Sequence, residues 1–293
     1  HRSGHSFPTR RSSDLIVTYE AIKRFSQENN INKIALFNGR WDWYRATMAA
    51  GKSVKIEIEV FEFYRSGGYY ENFGDNLPHN IKNKWKLIED HWKSNVNIEE
   101  KKRIAADFFT KKKSGATLID KSYTSDQIKG KIPAAYDEKK KTFVLFNSSD
   151  DEFAAVGEEF DNPFFKDQLD GIIYLVEHFK NKQDAQLLIR MHPNLKGLVR
   201  DFLLPLYDLE NKYSNVILIK PEEDVDSYEL MNIAGTVISF GSTAGLEAAY
   251  WGKPVVLLGK CFYFYVGIAY VPQSKEDIPA LLEQDLSPLP RLN

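Results

Sequence analysis

Residues 236–258 read TVISFGSTAGLEAAYWGKPVVLL, and their pattern decides the fold class. TVIS (236–239) is a short apolar, β-branched run, the signature of a strand covered on both faces. Gly241 permits a tight turn, and Ser242 or Thr243 can cap the helix that 243–251 predicts. PVVLL (254–258) is apolar again. Strand, helix and strand in such close succession make a right-handed βαβ crossover, so the two strands run parallel.

Upstream the alternation continues. Unbroken apolar runs at 142–146, 186–190 and 216–219 predict three more strands. Between 164 and 180, Leu169, Ile172, Ile173, Val176 and Phe179 recur at spacings of three and four, one apolar stripe along a helix. Residues 198–212 repeat the stripe with Leu203, Leu206 and Leu209, while 227–234 and 274–282 predict shorter helices. The expectation is a doubly wound parallel sheet of about five strands, in a domain over 136–293.

The first half, 16–135, reads as a second α/β domain. A helix is expected over 16–29, a strand over 33–37, and a helix over 41–50 closed by Gly51 as its C-cap. KIEIEVF (55–61) then alternates Ile56, Ile58 and Val60 inward, helices follow at 81–92 and 98–112, and 114–140 reads as a connection. A domain that opens on a helix lacks its first strand, so this half is expected to be incomplete. HSFPTRRSSDL (5–15) back-translates into a common sequencing-adapter sequence, which makes 1–15 an expected assembly artefact, disordered and outside the fold.

The 293 residues are 43% hydrophobic and 27% charged, ordinary for a globular chain with room for two cores. A formal net charge of −2 supplies no global field for nucleic acid or an anionic membrane. The single cysteine, Cys261, can form neither an internal disulfide nor a thiolate metal site, which suits a reducing compartment. No apolar run approaches the roughly 20 residues that span a bilayer. A cytoplasmic protein without a nucleic-acid partner is expected.

In open α/β sheets, ligands bind outside the carboxyl ends of the strands, so the residues that follow each strand are the candidates. In the second half these are Ser148 and Ser149, then Arg190 and His192 with Pro193, then Lys220, then Gly241, Ser242 and Thr243. Free N–H groups at the start of the last helix, with its dipole, suit a diphosphate. Glu247, one turn on, can accept from ribose hydroxyls. Arg190 suits bidentate phosphate binding, His192 can give a proton near neutrality, and Pro193 holds it extended. In the first half Asn38 and Arg40 follow one strand, and Glu62, Arg65, Gly67 and Gly68 the next, where they can hydrogen-bond a sugar. His79 and Asp42 are candidate bases. Packing accounts for several of these equally well: small residues can merely let a helix approach, and a lone histidine is more often structural. The aromatic run 262–265 fits a core better than a stacking surface.

Other chemistries lack their motifs. There is no Walker A loop, no G-x-G-x-x-G, no H-E-x-x-H, no cysteine pair and no G-x-S-x-G. The acidic runs at 150–152 and 222–224 read as solvated loops or helix first turns, and no metal is expected.

Taken together, 227–231, 239–247 and 251–255 resemble the donor-binding half of GT-B glycosyltransferases. With 190–194 and 37–40 added, the chain is most similar to bacterial capsule polysaccharide biosynthesis proteins. The resemblance covers about 142–290 well and the first half in patches. It implies two Rossmann-like domains, a nucleotide sugar as donor substrate rather than a bound cofactor, and a polysaccharide or glycolipid acceptor. A place in a capsule assembly complex at the inner membrane face is implied too. It also implies that Ser242 and Thr243 hold the diphosphate and that Glu247 holds the ribose; Gly241, Ser148 and Ser149, beside them at the strand ends, complete the donor-binding candidates. Arg190, His192 and Glu62 become the catalytic candidates, without a metal. Rival expectations on the same fold are a teichoic-acid-type polyol-phosphate transferase, a non-hydrolysing nucleotide-sugar epimerase, and a non-catalytic capsule assembly protein.

Overall fold

The structure is a computed structural model that describes residues 8–63, 68, 70–94, 97–116, 124–148, 161–197, 204–209 and 212–290. It divides into two compact units, His1–Lys84 and Trp85–Asn293.

The second unit is built on β4 (Lys141–Phe146), β5 (Ala185–Arg190), β6 (Val216–Ile219), β7 (Thr236–Ser239) and β8 (Val255–Leu257). All pair in parallel, in the spatial order β6-β5-β4-β7-β8. The connections are α5 (Gln168–Phe179), α6 (Leu204–Tyr207), α7 (Ser227–Ile233) and α8 (Thr243–Tyr250), with α9 (Asp277–Glu283) closing the series. Alternate strand residues feed two separate cores, as the strand period of two requires. Leu145, Leu187, Ile189 and Ile238 pack on Ile172, Leu175 and Phe179 of α5 and on Ile278 of α9. Val144, Leu188, Ile219 and Val237 pack on Tyr228 and Leu230 of α7 and on Ala248 of α8. Each fully buried Val, Leu, Ile or Phe side chain among these contributes about 1.5–3 kcal/mol. The doubly wound sheet expected from the sequence is therefore present, strand for strand.

Helix α4 (Ile98–Lys113) falls in this unit, capped by Asn97. The segment 124–140 is packed along the unit as well. Ile128 donates its N–H to the Asp224 carbonyl (2.8 Å), Asp226 donates to that of Lys131 (2.9 Å), and the Gln186 side chain bonds Asp137.

The first unit carries a three-stranded sheet, β1 (Lys33–Phe37), β2 (Glu57–Phe63) and β3 (Tyr70–Asn72), with β1 and β2 parallel and β3 antiparallel. Ile58 and Val60 turn inward as the alternation demanded. Helix α1 (Pro8–Glu28) packs on α2 (Asp42–Ser53), and α3 (Ile81–Lys93) crosses from one unit into the other. Two expectations change here. Residues 8–15, expected to be disordered, are the first turns of α1. Gly51 does not cap α2, which runs on to Ser53; a Cβ at 51 would stand 2.5 Å from Ile58 Cδ1, so the glycine is there for close helix–strand approach.

Candidate functional site

The register of the second sheet aligns its carboxyl end. Ile219, Arg190, Phe146, Ser239 and Leu257 form one row across the five strands. Chain order reverses at the central strand, so the switch point lies between β4 and β7, where a ligand crevice forms in such sheets. The loops that meet there are those carrying Asn147 and Ser148, and 240–243.

These loops are joined by side chains. Ser148 is buried; its hydroxyl donates to the Phe240 carbonyl (3.0 Å) and its N–H to Gln168 Oε1 (2.9 Å). Asn147 Oδ1 accepts from the His192 N–H (2.7 Å), tying the loop after β4 to the loop after β5. Ser149 lies outside the described residues. Gly241 turns the chain with φ +92°, a conformation that L side chains rarely adopt.

At the start of α8, Ser242 is the cap, its hydroxyl accepting from Ala244 N–H at 3.3 Å. Gly245 N–H bonds back to the Ser242 carbonyl (3.0 Å). Among the described residues, the N–H groups of Gly241, Ser242 and Thr243 have no partner, and Thr243 is exposed. Three successive donors at the positive end of a helix dipole, beside the switch point, suit an anion.

His192 opens a short 3₁₀ turn, Pro193–Leu195, where its Nδ1 accepts from Asn194 N–H (3.1 Å). In the neutral ring that bond puts the proton on Nε2, leaving Nε2–H as the donor.

Arg190 is committed elsewhere. It is buried, with Nη1 donating to the Lys220 carbonyl (2.7 Å) and Nη2 to that of Glu223 (3.1 Å). Burial lowers its pKa from the ordinary value, against Glu223, Asp224 and Glu222, which raise it. Its guanidinium braces the loop after β6. Glu222 and Glu223 are exposed in that loop, as the sequence predicted, and accept from Gly197 N–H (3.1 Å) and Lys220 N–H (2.7 Å).

Glu247 is also engaged. It is buried on α8, accepts from the Tyr228 hydroxyl of α7, and pairs through Oε1 with Lys112 Nζ of α4 at 2.9 Å. Burial first, then the Glu247 charge, drives the Tyr228 phenol well above its usual pKa. The same helix pair is joined by Phe109 stacked on Tyr250 (3.9 Å) and by Lys113 over the Trp251 ring (4.5 Å). Lys112 and Tyr228 were not singled out from the sequence, because both partners lie far from Glu247 in the chain. Tyr263, one of the aromatic run, is fully buried; its hydroxyl donates to the Ser242 carbonyl at 2.5 Å.

The first-unit candidates form their own group at the carboxyl ends of β1 and β2. Asn38, with φ +60°, donates from Nδ2 to Glu62 Oε2 (2.6 Å), and its Oδ1 accepts from Arg40 N–H (3.3 Å). His79 has its pKa pushed down to about 4, by burial first and then by Arg40 and Lys84. Asp42 opens α2 on the surface. Gly68 is exposed, and Arg65 and Gly67 lie outside the described residues. Among the described residues, no group of three or more His, Cys, Asp or Glu side chains is placed to hold a metal ion. Nor, among them, is any helix long and apolar enough to cross a membrane.

Residues 96–278, more than half of the chain, match the family model of capsule polysaccharide biosynthesis proteins. The chain belongs to that family. No curated protein matches it by sequence. Among solved structures, this capsule-family chain is similar to the β-Kdo 2,4 transferase of Thermosulfurimonas dismutans KpsC, at 13% identity. The match covers 84% of this chain and 74% of that one, with a TM-score of 0.54. The β-Kdo 2,7 transferase of the same KpsC is 15% identical over 87% and 73% of the two chains, at a TM-score of 0.47. The S. aureus MnaA–UDP co-structure is 13% identical over 93% and 72%, at 0.39. The likeness to the first is one of fold: the capsule-family chain has a GT-B-type α/β architecture with a Rossmann-like second unit.

Proposed function

We propose that this chain is a glycosyltransferase that moves a sugar from a nucleotide-activated donor onto a growing capsular polysaccharide. The observation that carries the reading is the run of three unpartnered amides, Gly241 to Thr243, at the switch point of the sheet in a capsule-synthesis family. In the proposal these amides and the α8 dipole receive the donor phosphates. As the sugar–phosphate bond breaks, negative charge grows on the departing nucleotide, and donors already fixed in place stabilise it without reorganising. His192 Nε2–H, at the end of β5, adds a donor to the same leaving group. Arg190 and Glu247 enter as supports: one holds the loop after β6, the other ties α8 to α4 and α7. The hydrogen-bonded Asn38–Glu62 pair of the first unit is assigned to binding an acceptor sugar through its hydroxyls.

The test is nucleotide release. The protein is incubated with a panel of nucleotide sugars and one cytidine-diphosphate polyol, with and without capsular oligosaccharide. Release from one nucleotide sugar that depends on the oligosaccharide supports the proposal. Release only from the polyol donor makes it a polyol-phosphate transferase, and acceptor-independent release or epimer formation overturns transfer altogether.

A further inference from the structure

The phenol of Tyr263 has an unusual position for a side chain so deep in the unit. It sits in the small core with Leu257 and Cys261, 1% exposed, where a phenylalanine would fill the space. Burial raises its pKa well above the usual value, so the hydroxyl keeps its proton and remains a donor. That proton goes to one acceptor, the Ser242 carbonyl at 2.5 Å. Ser239 Oγ lies 3.1 Å from the phenol oxygen and 3.3 Å from the same carbonyl, and Gly245 N–H reaches it at 3.0 Å.

The carbonyl and the N–H of a peptide point in opposite directions across one plane. Drawing the Ser242 carbonyl inward onto Tyr263, Ser239 and Gly245 therefore aims the Thr243 N–H outward, toward solvent. Gly245 completes the device. A Cβ there would stand 2.5 Å from the Tyr263 hydroxyl and 2.9 Å from Ser239 Cβ, so only glycine lets the phenol reach the carbonyl.

We propose that Tyr263 is a positioning residue for the donor site: it fixes the Ser242–Thr243 peptide with its amide presented to the donor phosphate. The assignment rests on the phosphate site proposed above. It predicts that removing one buried oxygen, out of reach of any ligand, weakens phosphate binding at an exposed amide.

The experiment is amide NMR of the full chain titrated with inorganic pyrophosphate, then with UDP, GDP and CMP, for the wild type and Tyr263→Phe. In the wild type the Gly241, Ser242 and Thr243 resonances move on titration. In Tyr263→Phe the Thr243 amide shifts before any ligand is added, and the dissociation constant rises roughly three- to tenfold, as expected for losing one hydrogen bond's worth of alignment. A melting temperature that falls while the dissociation constant stays put would make the phenol purely structural and overturn the assignment, with the phosphate site intact. Wild-type amides that answer none of the four probes would instead remove the phosphate site, and the role of Tyr263 with it. Should Tyr263→Phe not fold, Ser239→Ala withdraws the second hydroxyl from the same carbonyl and is read the same way.

Discussion

Replacing Thr243 with proline separates the donor amide from everything else at the site. Thr243 is the first residue of α8, where the N–H has no helical partner and proline is well tolerated. The preceding Ser242 has φ −62° and ψ 143°, already the extended conformation that a following proline requires. Thr243→Pro therefore deletes one N–H, keeps the helix, and leaves stability unchanged or raised by about 0.4–1 kcal/mol through a stiffer unfolded chain. If that N–H bonds a donor phosphate, the loss is a hydrogen bond to a charged group, about 1.5–3 kcal/mol, or roughly ten- to a hundredfold in affinity. Calorimetric titration with the nucleotide released in turnover gives the affinity, and a thermal melt gives the stability. Thr243→Ala keeps the amide and should bind within about threefold of wild type. Equal affinity in Thr243→Pro and wild type, with both folded, would refute the placement of the phosphate.

Three further outcomes follow from the same structure. Gly245→Ala gains about 1 kcal/mol of helix propensity but drives a methyl into Tyr263 and Ser239; overpacking and the displaced hydrogen bond cost about 2–4 kcal/mol, so the variant should melt lower, and a higher melting temperature would contradict the packing. Glu247→Ala leaves Lys112 and the Tyr228 hydroxyl without their shared acceptor, so stability should fall by about 1–3 kcal/mol while nucleotide affinity changes less than tenfold; the reverse pattern in melts and calorimetry would return Glu247 to the ribose. His79 holds a pKa of about 4 in the folded first unit, whereas the unfolded chain takes up its proton near pH 6.5. Its contribution is constant above about pH 6.5 and turns against the fold as pH falls toward 4, by about 3 kcal/mol at the acid end; denaturant melts of His79→Gln should lose that part of the slope.

The sequence carried the sheet of the second unit whole because its strands are unbroken runs such as VILI at 216–219, which need no partner to be recognised. The carboxyl-edge candidates were also readable, since βα loops follow directly from strand ends. The use made of each polar group was not. Arg190 looks like a phosphate ligand at a strand end, yet its acceptors are carbonyls at 220 and 223, brought to it only by the β5–β6 pairing. Glu247 likewise finds Lys112 from a helix more than a hundred residues earlier. Strand β3 exists through its pairing with β2, and Tyr-Glu-Asn carries no apolar alternation to announce it. Gly51 was misread for the same reason: a glycine after an apolar stripe signals a cap locally, and only the approach of Ile58 shows that it serves packing.

The most direct measurement is a structure of the protein holding its donor nucleotide. The phosphate oxygens are predicted about 3 Å from the backbone nitrogens of Gly241, Ser242 and Thr243, with His192 Nε2 turned toward them. A nucleotide bound with its phosphates away from the start of α8, and those amides still facing water, would contradict the account.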